Sequence, residues 1–304
     1  MTNRKPAIGF IGVGVMGRPM AGQLLSRGHA LVVYDKDPAA MAPLVEAGAQ
    51  AAGSVQEVCQ ACELVFTSLP SPAVFTQVML GEGGIRGGGA VRIAIDLSTV
   101  GPRVTKAAAT GLREQGIELV DAPVSGGAGG AKKGTLTVMA AGAPAAVERV
   151  KPLLEAFGKI FVVGQEAGQA QLLKLLNNML SSTAFAVTAE AFVAGVKGGL
   201  DPKLMLEVIN VSSGRSAASQ EKFVRQVLPR SFDFGFPISS VCKDIGLAIE
   251  ECEALGVPMW VGSQARQLWN FALRQGGAGQ DMTELGKFME GWAGAQPPAA
   301  TPRD

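Results

Sequence analysis

The chain has 304 residues, of which 47% are hydrophobic, and its 27 Lys and Arg residues nearly balance 26 Asp and Glu residues. A chain of this length can bury a sizeable core and form two domains. Its near-neutral charge, without a basic run, gives no electrostatic reason to bind nucleic acid or an anionic membrane. We expect no membrane span, because no apolar stretch reaches the roughly 18 residues required. Residues 1–6 lack the layout of a signal peptide, so we expect a cytoplasmic protein.

Two of the four cysteines, Cys59 and Cys62, form a CxxC pair. No second CxxC and no pair of histidines completes a set of metal ligands. We therefore expect no metal, and we interpret the cysteines as ordinary thiols in a reducing compartment. The role of the CxxC pair stays open at this point.

The first half of the chain alternates short apolar runs with amphipathic segments. The apolar runs predict strands at 7–11, 31–34, 64–68, 92–95, 118–120, 136–140 and 160–163. The segments between them predict helices at 14–27, 72–80, 101–115 and 143–157. Such an alternation is typical of a parallel, doubly wound α/β sheet of the Rossmann type.

After residue 164 the pattern becomes helical throughout. It predicts helices at 169–196, 202–212, 217–228, 237–255, 258–275 and 282–292. We expect a Rossmann-like domain at 1–165 and an all-α domain at 166–292, joined by one long helix. Residues 293–304 are expected to form a flexible tail. The cleft between two such domains is the expected ligand site.

A glycine-rich turn follows the first predicted strand and opens the first helix. Its sequence, Gly12-Val-Gly-Val-Met-Gly17, fits the GxGxxG dinucleotide fingerprint. Gly12 permits the tight turn, Gly14 lets the backbone approach a pyrophosphate, and Gly17 allows close packing of helix and strand. The expected contacts to a dinucleotide are Gly12, Gly14, Val15, Met16 and Gly17.

An acidic residue at the end of the second predicted strand indicates which dinucleotide is bound. Asp35 lies 18 positions beyond Gly17. A carboxylate there can accept hydrogen bonds from both hydroxyls of an adenosine ribose and repels a 2′-phosphate. Lys36 follows directly and could tolerate that phosphate. We therefore expect NAD, with NADP as the alternative.

The scarcity of some residue types excludes several classes of dehydrogenase. The single histidine, His29, falls in a predicted surface turn, which argues against a catalytic histidine. The single tyrosine, Tyr34, is followed four residues later by Pro38 rather than by the lysine of the short-chain mechanism. Ligands for a catalytic zinc are also lacking. The proton carrier must then be a lysine or a carboxylate.

A loop rich in glycine and serine follows the strand predicted at 118–120. From Asp121 to Thr137 it reads DAPVSGGAGGAKKGTLT. Its backbone N–H groups and the hydroxyl of Ser125 suit a carboxylate. The loop leaves the carboxyl end of a strand, where α/β sheets bind ligands. We therefore favour substrate binding over a glycine-rich hairpin without a ligand.

Lys174 stands on the long predicted helix among Leu, Met, Ala and Val residues. Spacings of three and four place it near one face with Asn177 and Asn178, and Ser181 follows one turn farther. Beside a nicotinamide, which is positive when oxidised, a lysine can exchange a proton near neutral pH. It would protonate the carbonyl oxygen as hydride arrives. The alternative is that its ammonium group reaches solvent.

Four motifs, in order along nearly the whole chain, resemble the β-hydroxyacid dehydrogenase family. They are GFIGVGVMGRPMA from Gly9, DAPVSGG from Asp121, Gly168 with Lys174 and the Asn177–Asn178 pair, and KDIGLA from Lys243. The family includes 3-hydroxyisobutyrate dehydrogenases and tartronate semialdehyde reductases. The resemblance implies a soluble enzyme that interconverts a small hydroxy acid and its semialdehyde with NAD or NADP.

The resemblance also implies roles for individual residues, with Lys174 as the catalytic acid and base. The other site residues that it implies are Ser125, Gly126, Gly127 and Asn178 for the substrate, and Leu69, Pro70, Thr99 and Lys243 for the cofactor. It further implies homodimers or homotetramers formed largely through the helical domain. The chain departs from the family at Gln23, where Asn is usual, and at Gln169-Ala170, which replaces an expected glycine.

Three alternatives share this architecture. A 6-phosphogluconate dehydrogenase would have histidine where this chain has Asn177, and a longer helical domain. Imine reductases commonly lack the lysine and the Ser-Gly-Gly loop, and a non-catalytic NAD-binding module would have lost Lys174. The substrate itself stays open. The loop at 212–216 offers hydroxyls and a cation for a polar substrate, but it could equally cap a helix or serve the subunit interface.

Overall fold

The computed structural model describes residues 7–296. The chain divides into two compact units, and the boundary between them in the sequence falls between Lys174 and Leu175. That point lies inside the long predicted helix. The predicted domain boundary at 165/166 stays a prediction. Of the predicted tail at 293–304, Ala293 caps the last helix, whereas residues 297–304 lie outside the described residues.

Among its described residues, 7–174, the first unit is built on one sheet of nine strands. They are β1 Ile8–Ile11, β2 Leu31–Tyr34, β3 Gln50–Ala51, β4 Leu64–Thr67, β5 Ile93–Asp96, β6 Glu118–Asp121, β7 Val124–Ser125, β8 Leu136–Ala141 and β9 Gly158–Gly164. The order is β3-β2-β1-β4-β5-β6-β8-β7, with β9 also paired to β8. Strands β1 to β6 are parallel, which confirms the predicted doubly wound core. Strand β8 runs antiparallel to β6 and β7, and the sequence did not predict this reversal.

Seven helices connect these strands. They are α1 Gly17–Ser26, α2 Pro38–Glu46, α3 Val55–Ala61, α4 Pro72–Leu80, α5 Pro102–Arg113, α6 Gly127–Lys133 and α7 Pro144–Leu154. Four of them begin with proline, whose fixed φ suits the first helical turn and whose missing N–H is not needed there. Side chains cap three helices, with Asp37, Ser54 and Ser71 accepting hydrogen bonds from backbone N–H groups.

The strands β1, β2, β4, β5 and β6 are buried on both faces because helices cover both sides of the sheet. Successive side chains of a strand point to opposite faces, so Phe10 and Ile11 enter different apolar clusters. On one face, Phe66 stacks on Phe10 and meets Phe157 edge to face, with ring centroids 5.8 and 5.7 Å apart. Two-sided burial explains why these strands are continuous apolar runs rather than alternating ones.

The second unit is helical. Its elements are the greater part of α8 Gln169–Lys197, then α9 Pro202–Val211, a π-helical segment Ala218–Val227, α10 Ile238–Ala254, α11 Trp260–Ala272 and α12 Leu285–Trp292. The rings of Phe185, Phe192, Phe223 and Trp269 form its core. The helix predicted at 217–228 is present, but its hydrogen bonds are of the π type, which the sequence did not predict.

Helix α8 corrects one expectation. By length and composition alone it is long and apolar enough to cross a membrane, although no such stretch was expected. One such helix is weak evidence for a membrane span, because a core helix of a soluble protein meets the same criteria. This helix also contains Gln171, Lys174, Asn177 and Asn178, which are costly in lipid without partners.

Candidate active site

The three glycines of the fingerprint have different structural roles. Gly12 has a φ of +85°, and a Cβ there would lie 2.3 Å from the Ser68 carbonyl oxygen. A Cβ on Gly17 would lie 1.9 Å from the Gly12 carbonyl oxygen. In contrast, a Cβ on Gly14 would have no protein atom within 4 Å. The fold therefore requires glycine at 12 and 17, whereas at 14 it leaves open space against the backbone, as a bound pyrophosphate needs.

Asp35 lies directly after β2, and its carboxylate is fixed by two backbone groups. Oδ2 accepts a hydrogen bond from the N–H of Val13 at 2.8 Å, and Oδ1 accepts one from the N–H of Asp37 at 3.0 Å. The first bond ties Asp35 to the fingerprint turn, which the sequence did not indicate. Each carboxylate oxygen has a second acceptor position, so the group can also accept hydrogen bonds from ribose hydroxyls.

Buried polar side chains connect the ends of β4 and β5. The hydroxyls of Thr67 and Ser98 both donate to Asp96 Oδ1, at 2.7 and 2.6 Å, and Ser98 Oγ accepts from the N–H of Leu69 at 2.8 Å. Asp96 is fully buried. These bonds fix the two loops that contain the predicted cofactor contacts Leu69 and Thr99.

Asp121, at the end of β6, holds the start of α8. Its two carboxylate oxygens accept hydrogen bonds from the N–H groups of Gly168 and Gln171, each at 2.9 Å. Unpaired N–H groups and the helix dipole make a helix N-terminus a favourable place for a carboxylate. The bond joins residues about 50 positions apart in the sequence, and nothing in the local pattern indicated it.

The Gln171 side chain extends this connection to the loop after β5. Its Oε1 accepts hydrogen bonds from the N–H groups of Val100 and Gly101 at 3.0 and 3.1 Å, and its Nε2 donates to the Ser98 carbonyl oxygen at 2.8 Å. Gln171 is fully buried, and Lys174, three residues along the helix, is only 7% exposed. Lys174 is therefore fixed relative to the loop that contains Thr99.

The titration of Asp121 gives a prediction about stability. Burial raises the pKa of this carboxyl from 3.8 to about 7, and the charge of Asp96 adds to the rise, while the N–H groups of Gly168 and Gln171 oppose it. The pKa of Asp121 is higher in the folded state than in the unfolded state. Its protonated carboxyl therefore stabilises the folded protein in acid, and this stabilisation is lost as the pH rises through about 7. Relative to Asp121→Asn, we expect the wild type to lose about 2–3 kcal/mol of unfolding free energy between pH 5 and pH 8. Urea unfolding at several pH values measures this difference, and a constant value would contradict it.

The predicted carboxylate loop follows β7 and opens α6. Ser125 pairs with Thr137 of β8, and Gly126 and Gly127 have φ values of +127° and +65°. Residues other than glycine rarely adopt such φ values, so the backbone conformation requires glycine at both positions. No side chain caps α6, which keeps the loop's backbone groups available to an anion. The loop is thus a strand-to-helix turn.

Within the helical unit, Asp244 joins two of the predicted site residues. Its Oδ2 accepts a hydrogen bond from Asn178 Nδ2 at 2.7 Å, and its Oδ1 lies 3.1 Å from Lys243 Nζ. Asp244 is 3% exposed. Asp244 lies in the KDIGLA motif, but the sequence indicated no role for it. Its position directly after Lys243, in an otherwise apolar stretch of α10, was the available signal.

The remaining candidates do not form a site of their own. Cys59 and Cys62 are buried, and burial raises the pKa of each thiol to about 11, so they are poor nucleophiles at neutral pH. Among residues 7–296 no group of three metal-ligating side chains occurs. The hydroxyls of Ser212, Ser216 and Ser219 bind nearby backbone groups.

The fingerprint turn, Asp35 and the loops with Leu69 and Thr99 all lie at the carboxyl ends of parallel strands in one sheet. This arrangement defines the class of NAD(P)-dependent dehydrogenases with a Rossmann domain. Residues 7–164 match the NAD binding domain of 6-phosphogluconate dehydrogenase, and residues 168–289 match the "NAD-binding of NADP-dependent 3-hydroxyisobutyrate dehydrogenase" family. The two matches together cover most of the chain.

Known proteins agree with these matches. The chain is 39% identical to 2-(hydroxymethyl)glutarate dehydrogenase of Eubacterium barkeri, over 94% of this chain and 96% of the relative. It is 36% identical to 3-hydroxyisobutyrate dehydrogenase of Pseudomonas aeruginosa, over 93% and 98%. The structure of Mycobacterium tuberculosis 3-hydroxyisobutyrate dehydrogenase with L-serine matches with a TM-score of 0.82 at 29% identity, over 93% and 99%.

The chain therefore belongs to the β-hydroxyacid dehydrogenase family. It is an NAD(P)-dependent oxidoreductase that acts on the hydroxyl groups of hydroxy acids, and it has the soluble dehydrogenase fold of a Rossmann domain followed by a helical domain. The predicted family, fold class, reaction class and type of cofactor are confirmed. The roles of the individual site residues remain predictions.

Proposed function

We propose that this enzyme interconverts a small β-hydroxy acid and its semialdehyde, with Lys174 as the general acid and base. The observation that supports this most directly is the pair of connections made by Gln171 and Asp121. They fix the first turn of α8 to the loop after β5 and leave Lys174 buried one turn farther along. A lysine buried one turn beyond this connection suits proton transfer better than a surface role does.

Different residues of the chain bind the substrate, orient it and transfer the proton. The nicotinamide, when bound, supplies or accepts the hydride. Ser125 and the N–H groups of Gly126 and Gly127 bind the substrate carboxylate, and Asn178 orients the substrate. In reduction, the ammonium of Lys174 donates a proton to the oxygen that gains charge as hydride arrives. In oxidation, the neutral amine of Lys174 takes the hydroxyl proton.

The names of the relatives narrow the substrate class. 3-Hydroxyisobutyrate, 2-(hydroxymethyl)glutarate and L-serine each have a primary alcohol on the carbon next to the one that bears a carboxylate. They differ in the third group on the α-carbon, which is a methyl, a carboxyethyl or an ammonium group. The proposed substrate shares the common part, a hydroxymethyl group beside a carboxylate.

A panel of hydroxy acids tests this proposal. We expect the highest kcat/KM for 3-hydroxyisobutyrate, 2-(hydroxymethyl)glutarate, serine or glycerate, and lower values for threonate and 4-hydroxybutyrate, whose primary alcohols are one carbon farther from the carboxylate. Each is assayed with NAD and with NADP, and Asp35 leads us to expect the higher rate with NAD because its carboxylate repels a 2′-phosphate. Absence of turnover on every acid, with NAD binding intact, would indicate a non-catalytic module.

The proposal also includes location and assembly. We expect the enzyme in the cytoplasm as a homodimer or homotetramer. Large apolar side chains exposed on the helical unit support assembly through that unit, because burying apolar surface favours association. Those exposed most are Leu180, Val211, Trp260 and Val261.

A further inference from the structure

Gln23, in the last turn of α1, makes a hydrogen bond that the proposed mechanism does not use. Its amide Nε2 donates to the main-chain carbonyl oxygen of Lys132 in α6 at 2.6 Å, across 109 positions of the sequence. The last four carbonyl groups of a helix have no partner within it, so this bond satisfies a group that α6 itself leaves open. Gln23 is also a position at which the chain departs from the family pattern.

The two helices that this bond joins each begin at a proposed ligand loop. Helix α1 opens at the fingerprint turn, which ends at Gly17, and α6 opens at the Ser125–Gly127 loop. Both helices and both loops belong to the first compact unit. Gln23 is six residues beyond Gly17, about 9 Å along the helix axis. The bond therefore connects the turn proposed for the cofactor with the loop proposed for the substrate carboxylate.

Helix α6 depends on such contacts because it is weak by itself. It is seven residues long, and three of them are glycine. Isolated helices this short are not stable in water, and glycine is the least favourable helical residue after proline. Ala131 is buried in the same apolar cluster as Met20 and Leu24 of α1. A Cβ on Gly130 would lie 3.0 Å from the Leu136 side chain. The position of the substrate loop therefore depends on how firmly α6 is held by its neighbours.

We infer that Gln23 is a positioning residue that couples cofactor binding to binding of the substrate carboxylate. A cofactor at the fingerprint turn fixes α1 and, through Gln23, also fixes α6 and the Ser125–Gly127 loop. The acid then binds without the cost of ordering that loop. The coupling is reciprocal, because each ligand strengthens the binding of the other by the same factor. This inference rests on the proposed function, since it takes the turn and the loop as the sites for cofactor and carboxylate.

Three variants of the full-length enzyme test this role. Gln23→Met preserves the length of the side chain and removes its donor. With saturating NAD, we expect it to raise the KM for the best hydroxy acid by about 2- to 10-fold, the range for one lost hydrogen bond, and to change kcat by less than about twofold. Gln23→Lys keeps a donor of similar reach, so its KM should stay within about twofold of wild type. Gln56→Met, at an exposed position of α3, is the matched control and should change neither constant.

Backbone hydrogen exchange gives a second measurement, which needs no turnover. In wild type, Gln23→Lys and Gln56→Met, NADH should slow exchange at residues 125–133, whereas in Gln23→Met this protection should be lost. The role of Gln23 would be overturned by a wild-type KM in Gln23→Met, by an equal rise of KM in Gln56→Met, or by NADH protection that is absent from wild type or persists in Gln23→Met. A wild type that shows the protection yet oxidises no hydroxy acid would overturn the proposed reaction alone.

Discussion

Replacement of Lys174 with alanine is expected to lower kcat by about 10²- to 10⁴-fold, the usual contribution of a positioned general acid or base. Lys174 is 7% exposed and lies one turn beyond Gln171, whose side chain binds the loop after β5. Without its amine, the oxygen that gains negative charge during hydride transfer has no proton donor. The affinity for NADH should change little, because the proposed cofactor contacts lie in other segments.

Steady-state kinetics on the best acid of the panel and a fluorescence titration with NADH measure these two effects. Lys197→Ala is a matched control, since Lys197 lies on the same helix and donates to the Ala293 carbonyl oxygen instead. Added methylamine should restore part of the activity of Lys174→Ala and none in the control. A variant that keeps more than about a tenth of the wild-type kcat would show that proton transfer does not depend on Lys174.

The parts of this fold that could be predicted from the sequence are those set by local patterns. The strands β1, β2, β4, β5 and β6 are apolar runs buried on both faces, and the fingerprint turn needs glycine for backbone reasons that hold in any such fold. The two-residue strands β3 and β7 escaped prediction because so short a run has no periodicity. The reversal of β8 depends on pairing with β6 and β7, which no local signal specifies.

Candidate ligand contacts could be proposed from the sequence, whereas contacts between distant residues could not. Lys174 and Ser125 were proposed from their chemistry, but the hydrogen bond from the Gln171 N–H to Asp121 joins residues far apart in the chain. The burial of Lys222 could not be predicted either, because a lysine in a segment with Glu221 and Arg225 is usually exposed, whereas the π-helical segment buries it.

The second large effect is expected at Gly14. We predict that Gly14→Ala folds normally but binds NADH about 30- to 150-fold more weakly, the equivalent of about 2–3 kcal/mol of lost hydrogen bonding to a charged phosphate. A Cβ on Gly14 meets no protein atom within 4 Å, and the Gly14 carbonyl already accepts a helical hydrogen bond from Arg18. Alanine is therefore compatible with the free protein, and its methyl group would occupy the space that a pyrophosphate needs.

Gly17→Ala, in the same turn, is expected to reduce stability. Its Cβ would lie 1.9 Å from the Gly12 carbonyl oxygen and 3.2 Å from the Phe10 ring. The backbone must therefore move, and we expect the free energy of unfolding to fall by about 1–3 kcal/mol. Thermal unfolding and NADH titration of both variants distinguish the two roles. Gly14→Ala with normal NADH affinity would show that the open space at Gly14 is not where the cofactor phosphates bind. The same loss of stability as in Gly17→Ala would show that the fold itself requires glycine at position 14.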